Sequence, residues 1–351
     1  MSQTTMNVKS EHHDDNMEPP KLSICIATYN RAKYIGETLE SIIPQLTGDV
    51  EIVIVDGAST DNTQAVVQAY QEKCPYIRLF TLPEKGGVDQ DYCRAVEYAQ
   101  GEYCWLFPDD DLLMSGAVAV VLDHIKHGYS LVVMNARAMN PDFSQVLNHR
   151  MLAIDFDEVI EPADLENLFI RAVSFMSFIG GVVIRRSLWI ERDAEAYWGT
   201  EFVHIGVIFQ APLPGPAMLV AKPHITIRYG NAQWTSRAFN IWMMKWPRLL
   251  WSFQISDRAK QLVMPREPWR NLKEILYYRA IGAFGFKDFA ALSRQNVSPW
   301  WWKLGAVSIA ILPGIVVNTV CRLLFSLVRK NSKQMVSYDL AHSKYALSKG
   351  F

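Results

Sequence analysis

Cysteine is scarce in this chain and badly spaced for chemistry. Among 351 residues there are five, Cys25, Cys74, Cys93, Cys104 and Cys321. No two form a CxxC pair and one is left over, which argues against a disulfide frame or a cysteine-built zinc site. They read as buried thiols in a reducing compartment. Phosphate-cradling glycine loops are missing as well. Neither GxGxxG nor GxxxxGK[ST] follows the first apolar strand, which counts against dinucleotide-binding and P-loop chemistry. The first twenty residues have no apolar core; polar and acidic, they read as a disordered leader and not as a signal peptide. Internal repeats and low-complexity tracts are also absent.

What is present is half hydrophobic and one fifth charged, enough for one large α/β domain with an appendage. The net charge of −1 hides a split. Residues 1–227 carry 16 Lys/Arg against 31 Asp/Glu, whereas the chain from Arg228 onward carries 19 against 5. Such asymmetry points the second half towards an anionic surface, membrane or nucleic acid. Its aromatics cluster with aliphatics in helix-like runs, unlike base-stacking platforms on a polar sheet, so nucleic acid is not an expected partner.

From Lys21 the pattern becomes regular. Leu22–Thr28, Glu51–Asp56, Ile77–Leu82, Tyr103–Phe107 and Leu131–Asn135 are short, mostly apolar and rich in β-branched residues. Helical periods lie between them at about Ala32–Ile43, Thr60–Tyr70, Asp89–Ala99 and Gly116–His127. Alternation of this kind predicts a mostly parallel sheet with helices on both faces. Ligands of such sheets bind beyond the carboxyl ends of the strands. The residues there are Thr28-Tyr29-Asn30-Arg31, Asp56-Gly57-Ala58-Ser59 and Pro108-Asp109-Asp110-Asp111, and all three clusters are polar. Gly180–Arg186 reads as a further strand and Glu201–Gln210 as a short buried helix.

Three successive acids after an apolar strand are costly to bury unless a cation compensates them. Oxygen ligands in that position suit Mg²⁺ or Mn²⁺, which in turn holds a diphosphate. Asp56 is placed to accept hydrogen bonds from a base or ribose, and Ser59 or Asp61 to cap the helix that follows.

Three motifs spread over about 90 residues carry a resemblance. Ile26-Ala27-Thr28-Tyr29-Asn30-Arg31, then Val55-Asp56-Gly57-Ala58-Ser59-Thr60-Asp61, then Gly101-Glu102-Tyr103 ahead of Asp109–Asp111, resemble the family 2 glycosyltransferases of GT-A fold. Gly87-Val88-Asp89-Gln90-Asp91-Tyr92, Tyr103-Cys104-Trp105 and Gly199-Thr200 with His204 resemble the abequosyltransferase-like branch of O-antigen enzymes. The resemblance covers roughly Lys21 to Gln210. It implies a nucleotide pocket lined by Thr28, Tyr29, Asn30 and Arg31, with Asp56 reading the base and Ser59 close by. It implies Asp110 as the metal-binding acid, with Asp111 a second candidate for the metal and Asp109 for the ribose contact that Pro108 cannot make. Asp89 is implied in shaping the donor site. The acidic pair that usually supplies the general base is absent; Thr200-Glu201-Phe202-Val203-His204 stands in its region. His204 is the first candidate for the base, from its ordinary pKa, and Glu201 the second.

The implied reaction is an inverting transfer from a nucleotide-diphosphate sugar to a lipid-linked saccharide on an undecaprenyl-type carrier, in surface polysaccharide synthesis. A catalytically silent nucleotide-sugar-binding scaffold is the alternative, kept open by Pro108 and the missing acidic pair. Leu304 to Cys321 is an uncharged run of 18 residues flanked by Trp300-Trp301-Trp302-Lys303 and by Arg322, Arg329 and Lys330. Interrupted by Pro313-Gly314 and Asn318, it reads as two short helices lying in or dipping into a membrane interface. Within Trp234–Trp251, the face formed by Phe239, Trp242, Trp246, Leu249 and Leu250 reads as a second lipid contact. The expected organisation is a leader (1–20), a GT-A domain (21–228), a helical, basic and aromatic membrane-associating region (229–330) and a polar tail (331–351). The expected location is the cytoplasmic side of the inner membrane, peripheral or monotopic.

Overall fold

The computed structural model describes residues 18–231, 235–295, 299–327 and 334–347. Nearly all of the expected leader lies outside these residues, as do Trp234, Arg329, Lys330 and the two ends of the expected tail.

Ten strands form one sheet: β1 (Leu22–Thr28), β2 (Val50–Asp56), β3 (Ile77–Thr81), β4 (Tyr103–Phe107), β5 (Leu112–Leu113), β6 (Leu131–Met139), β7 (Val146–Asn148), β8 (Glu158–Ile160), β9 (Val182–Arg185) and β10 (Ala217–Arg228). The spatial order is β3-β2-β1-β4-β9-β6-β10-β5, with β7 beside β6 and β8 beside β10. β3, β2, β1 and β4 run parallel, as do β6 and β10, while β9 is antiparallel to both β4 and β6. The sheet is covered on both faces, so its strands are apolar throughout instead of alternating; Ile52, Val53, Ile54 and Val55 are all fully buried. β1 lies between β2 and β4, which places the order reversal, and hence the crevice of such a sheet, at the carboxyl end of β1.

The helices fall where the periodicity predicts them. Ile35–Ile42 buries Ile35, Leu39 and Ile42 at helical spacing. Thr63–Gln71 and Ala117–Ile125 follow β2 and β5, and Val88–Tyr98 packs on β1 and β2. The short buried helix is Val203–Phe209. β10 and the helix Leu165–Met176 were not expected.

After Arg228 the chain is helical, but the start of this region does not form a lipid face. Trp246, Leu249, Leu250 and Phe253 join the same core as the sheet strands. Phe239 packs in a second core with Trp269, Phe284 and Trp302. Trp242, Trp246 and Phe202 form an aromatic cluster with ring centroids 4.6–6.0 Å apart. The stripe read as a second lipid contact is therefore protein core. The expected domain boundary at 228 also runs through a shared core.

Further along, Trp300–Ile311 and Gly314–Leu327 are two helices bent by 101° at their junction. Among the described residues no single helix is long and apolar enough to cross a membrane. Asn318 is fully buried and donates to Ala280 O, Leu340 O and Ser343 Oγ, fixing one side of the bend to the helices Leu272–Ile281 and Gln334–His342. Trp300, Trp301, Leu304, Ile311, Val316, Val320, Leu323 and Leu324 are exposed.

Trp246→Ala should lower unfolding free energy by about 3–5 kcal/mol, the usual cost of emptying a core aromatic site, as measured by chemical denaturation. A change below about 1 kcal/mol would contradict the core assignment.

Candidate active site

The loops leaving β1 and β2 are stitched together by short polar side chains. The Asn30 amide donates to Ser59 Oγ at 2.8 Å, and Asn30 Oδ1 accepts from the Thr60 amide at 2.7 Å. The Arg31 amide donates to Thr63 Oγ1 at 2.8 Å. Asn30 and Ala58 both have positive φ, 54° and 62°, a backbone state that Asn tolerates and Ala resists, so these bonds hold the turns in place.

Beside them lie the three acids that follow β4. Asp109 and Asp111 are buried. The Arg31 guanidinium bridges the first two, with Nε 3.3 Å from Asp109 and Nη2 3.2 Å from Asp110. Asn231 Nδ2 donates to Asp110 Oδ2 at 2.9 Å. Asp111 Oδ1 accepts the Arg228 amide at 2.7 Å. Arg228 itself is buried; it donates to Asp110 O and Pro141 O and pairs with Glu37. Desolvation pushes Asp109 up to about 7; the Asp110 charge adds to the rise and Arg31 opposes it. Asp110 is also raised by burial, against Arg31 and Asn231. Burial and the Asp110 charge hold Asp111 well above the usual carboxylate range.

Two adjacent carboxylates held above their ordinary pKa by desolvation, despite Arg31 across them and the Arg228 charge beside Asp110, are a donor set that a divalent cation relieves. Their oxygens are hard ligands, and Mg²⁺ commonly takes one or two carboxylates and completes its shell from water and substrate phosphate. Asp109 and Asp110 thus fit Mg²⁺ or Mn²⁺. No group of three or more acidic, histidine or cysteine side chains is arranged to hold a metal among the described residues. Asp111 departs from its expected part in metal binding: 3% exposed and bonded to a backbone amide, it ties the end of β4 to the end of β10.

Other expected contacts are redistributed. Asp56 is fully buried, accepting from the Ser59 amide at 3.1 Å and from Gln64 Nε2 at 2.7 Å, so it organises its own loop instead of facing a base. Thr28 is buried at the end of β1. Tyr29 carries Lys85 Nζ over its ring, 3.6 Å from the centroid. Asp89 accepts the amides of Glu201 (2.9 Å) and Val203 (3.1 Å), and so holds the segment that bears the candidate bases.

The two candidate bases differ sharply. His204 is 2% exposed, its Nε2 lies 2.8 Å from Met176 O, and burial depresses it to about 4. A hydroxyl in solution cannot reach it. His204 is a neutral core residue, against the first expectation. Glu201 sits at the surface end of the same segment with φ of 71°, and its Oε1 accepts from Arg237 at 2.7 Å and Lys245 at 2.9 Å. Sequence reasoning missed Arg228, Asn231, Arg237 and Lys245, because they come from the end of β10 and the region after it, where no motif marks the site.

Residues 23–187 match the family described as Glycosyl transferase family 2. The chain is similar to abequosyltransferase RfbV of Salmonella typhimurium, 27% identical over 324 residues, covering 86% of this chain and 92% of that protein. It is also similar to the GalNAc(5)-diNAcBac-PP-undecaprenol beta-1,3-glucosyltransferase of Campylobacter jejuni, 33% identical over 33% of this chain and 38% of that protein. Among solved structures, S. aureus TarS 1-349 superposes with a TM-score of 0.53 at 17% identity, over 92% of this chain and 89% of that one. The same TarS fragment in complex with UDP-GlcNAc superposes with a TM-score of 0.50, also at 17% identity, over 92% of this chain and 90% of that one.

His204 supplies a pH test of its own placement. With a folded value of about 4 against about 6.5 when unfolded, its stabilising contribution is complete above about pH 6.5 and is lost as pH falls towards 4. His204→Gln keeps an N–H for Met176 O. In unfolding measurements between pH 7 and 5, it should remove a slope of at most about 1.4 kcal/mol per pH unit. An unchanged slope would contradict the buried neutral assignment.

Proposed function

Because the chain carries a family 2 glycosyltransferase domain across residues 23–187, we propose that it moves a hexosyl or dideoxyhexosyl group from a nucleotide-diphosphate sugar to a lipid-linked saccharide, with inversion. The observation that carries this reading is the pair Asp109 and Asp110, only partly compensated by Arg31, at the strand end beside the stitched Asn30–Ser59 loops. The relative described as an undecaprenol-linked glucosyltransferase supports a saccharide acceptor on a lipid carrier, and the one described as an abequosyltransferase supports sugar transfer. The TarS complex with UDP-GlcNAc supports a nucleotide-sugar donor.

In this reading Glu201 takes the proton of the acceptor hydroxyl. The acceptor oxygen attacks the anomeric carbon from the face opposite the diphosphate, the glycosidic bond forms, and the bond from carbon to diphosphate oxygen breaks. The nucleoside diphosphate leaves with that electron pair. Mg²⁺ or Mn²⁺ held by Asp110, with Asp109 beside it, would offset charge on the departing diphosphate. Asp89 positions Glu201 through its backbone, and Arg237 and Lys245 balance its charge. Tyr29, Asn30, Arg31 and Ser59 form the nucleotide side of the crevice.

The exposed apolar residues of the bent pair Trp300–Ile311 and Gly314–Leu327 suit a membrane interface, with tryptophans at its start. Together with the basic balance after Arg228, it supports a peripheral or monotopic enzyme on the cytoplasmic side of the inner membrane, near a diphosphate-bearing lipid acceptor. All five cysteines are free and buried, in keeping with a reducing compartment.

The deciding experiment follows nucleoside diphosphate release across a panel of sugar nucleotides, with and without Mn²⁺ and a membrane lipid extract. Release that requires both additions is the expected result; tight binding without release would indicate a non-catalytic scaffold. Glu201→Gln should lose at least a hundredfold in turnover while still binding donor, whereas His204→Gln stays within about threefold of wild type (one catalytic proton transfer being worth about 10²–10⁴). The reverse ranking would return the base role to His204. Replacing Trp301, Leu304, Ile311 and Leu323 together by serine should release the protein from anionic vesicles in a sedimentation assay. Retained sedimentation would put the anchor elsewhere.

A further inference from the structure

Asp91 lies on the first turn of Val88–Tyr98, two residues beyond the acid that holds Glu201. It is 4% exposed, and its Oδ1 has no hydrogen-bond partner. A buried carboxylate oxygen left unmatched costs free energy, so such a group in a native fold calls for an explanation. Two glycines make room for it. A Cβ on Gly57, in the loop after β2, would fall 2.7 Å from Asp91 Oδ2, and one on Gly86, in the loop after β3, would fall 3.0 Å from Oδ1. The carboxyl is thus bracketed by the two strand-end loops that flank the nucleotide side of the crevice. The Gly86 amide and the Lys85 charge favour its ionised form, yet neither closes a hydrogen bond to Oδ1. Burial nevertheless raises it to about 6, with the Asp56 charge adding to the rise. Lys85 is the cation that stands over Tyr29. Lys85 thus links Tyr29, at the end of β1, to the Asp91 carboxyl held between Gly57 and Gly86. Asp56, the acid expected to read the base, is already engaged by its own loop.

We propose that Asp91 is the specificity-determining residue for the nucleobase of the donor, its unpartnered Oδ1, covered in the free protein beside Gly57 and Gly86, accepting an N–H of the base once the loops that carry these glycines part. This rests on the nucleotide-sugar reading above and adds to it the group that selects the nucleotide. A buried acceptor discriminates strongly, because a ligand without the matching N–H leaves it unpaired.

The test is calorimetric binding of UDP, CDP, GDP and ADP, each with Mn²⁺, to the full-length protein. Wild type should prefer one of the four by at least tenfold. Asp91→Asn, near-isosteric but offering an amide, should bind that nucleotide at least tenfold more weakly and lose the ranking. Gly57→Ala, which displaces the carboxyl without removing its charge, should do the same. Thermal melting checks that both variants are folded. A folded Asp91→Asn with affinities within twofold of wild type and the same ranking would overturn the proposal, as would a wild type that binds all four alike. Should neither variant fold, wild type alone decides: the preferred nucleotide methylated at its base N–H must bind at least tenfold more weakly, and equal affinity overturns the assignment. Failure of wild type to bind any of the four would instead bring down the donor reading, and this inference with it.

Discussion

Three consecutive carboxyls at the end of a buried strand have to be compensated, and the rest of the site is arranged around that need. β4 is fully buried, so Asp109, Asp110 and Asp111 emerge from it into a region where water can do little for them. Each is compensated from a different part of the chain. Arg31, from the loop after β1, spans the first two; Asn231 meets the second; the Arg228 amide, at the end of β10, takes the third. The compensation is unequal. Asp111 is absorbed into the fold, while Asp109 and Asp110 stay raised by burial despite Arg31 between them, with Arg228 also acting on Asp110, a donor set that fits a further cation.

The same economy joins the helical half of the chain to the site. Tyr229, between Arg228 and Asn231, donates to Asp339, which also accepts from Tyr277. Gly230 has a φ of 99°, and the Tyr338 ring packs where its side chain would be. The loop that carries Asn231 to Asp110 is therefore held from behind by the helix Gln334–His342. Opposite, Asp89 fixes the backbone of Glu201 while Arg237 and Lys245 reach its carboxylate from the chain beyond β10. Helices that look like an appendage in the sequence thus hold the Asn231 loop from behind and, through Arg237 and Lys245, reach the Glu201 carboxylate.

The legible part of the fold was the part governed by local pattern. β1 and β4 were bounded correctly because apolar runs end in polar clusters, and the four helices between the early strands follow a 3.6-residue period that their buried faces obey. The strand-end loops and the acid cluster were found for the same reason. The rest depends on tertiary context. β10 is interrupted by Lys222-Pro223-His224, where its pairing with β6 slips, so it did not read as a strand. The stripe of Phe239, Trp246, Leu249 and Leu250 has the same spacing whether it meets lipid or protein, and only packing shows that it meets protein. His204 and Glu201 are three residues apart in one motif, yet one lies in the core and the other pairs with Arg237 and Lys245. Asp91 was visible only as part of a resemblance, since nothing in its own spacing distinguishes it from Asp89.

The distance along the chain between the acids and their partners has a consequence for synthesis. Arg228 and Asn231 lie 117 and 121 residues beyond the carboxyls they contact. At about 5–20 residues per second, the ribosome takes roughly 6–24 s to cover that interval. During it β1 to β4 can pair while their acids remain solvated and ionised at the open end of a half-built sheet. The crevice closes only when β10 docks beside β6. A nascent or truncated chain that stops short of Arg228 is thus an acidic, partly folded species without an assembled centre, and competence arrives late in the life of each polypeptide.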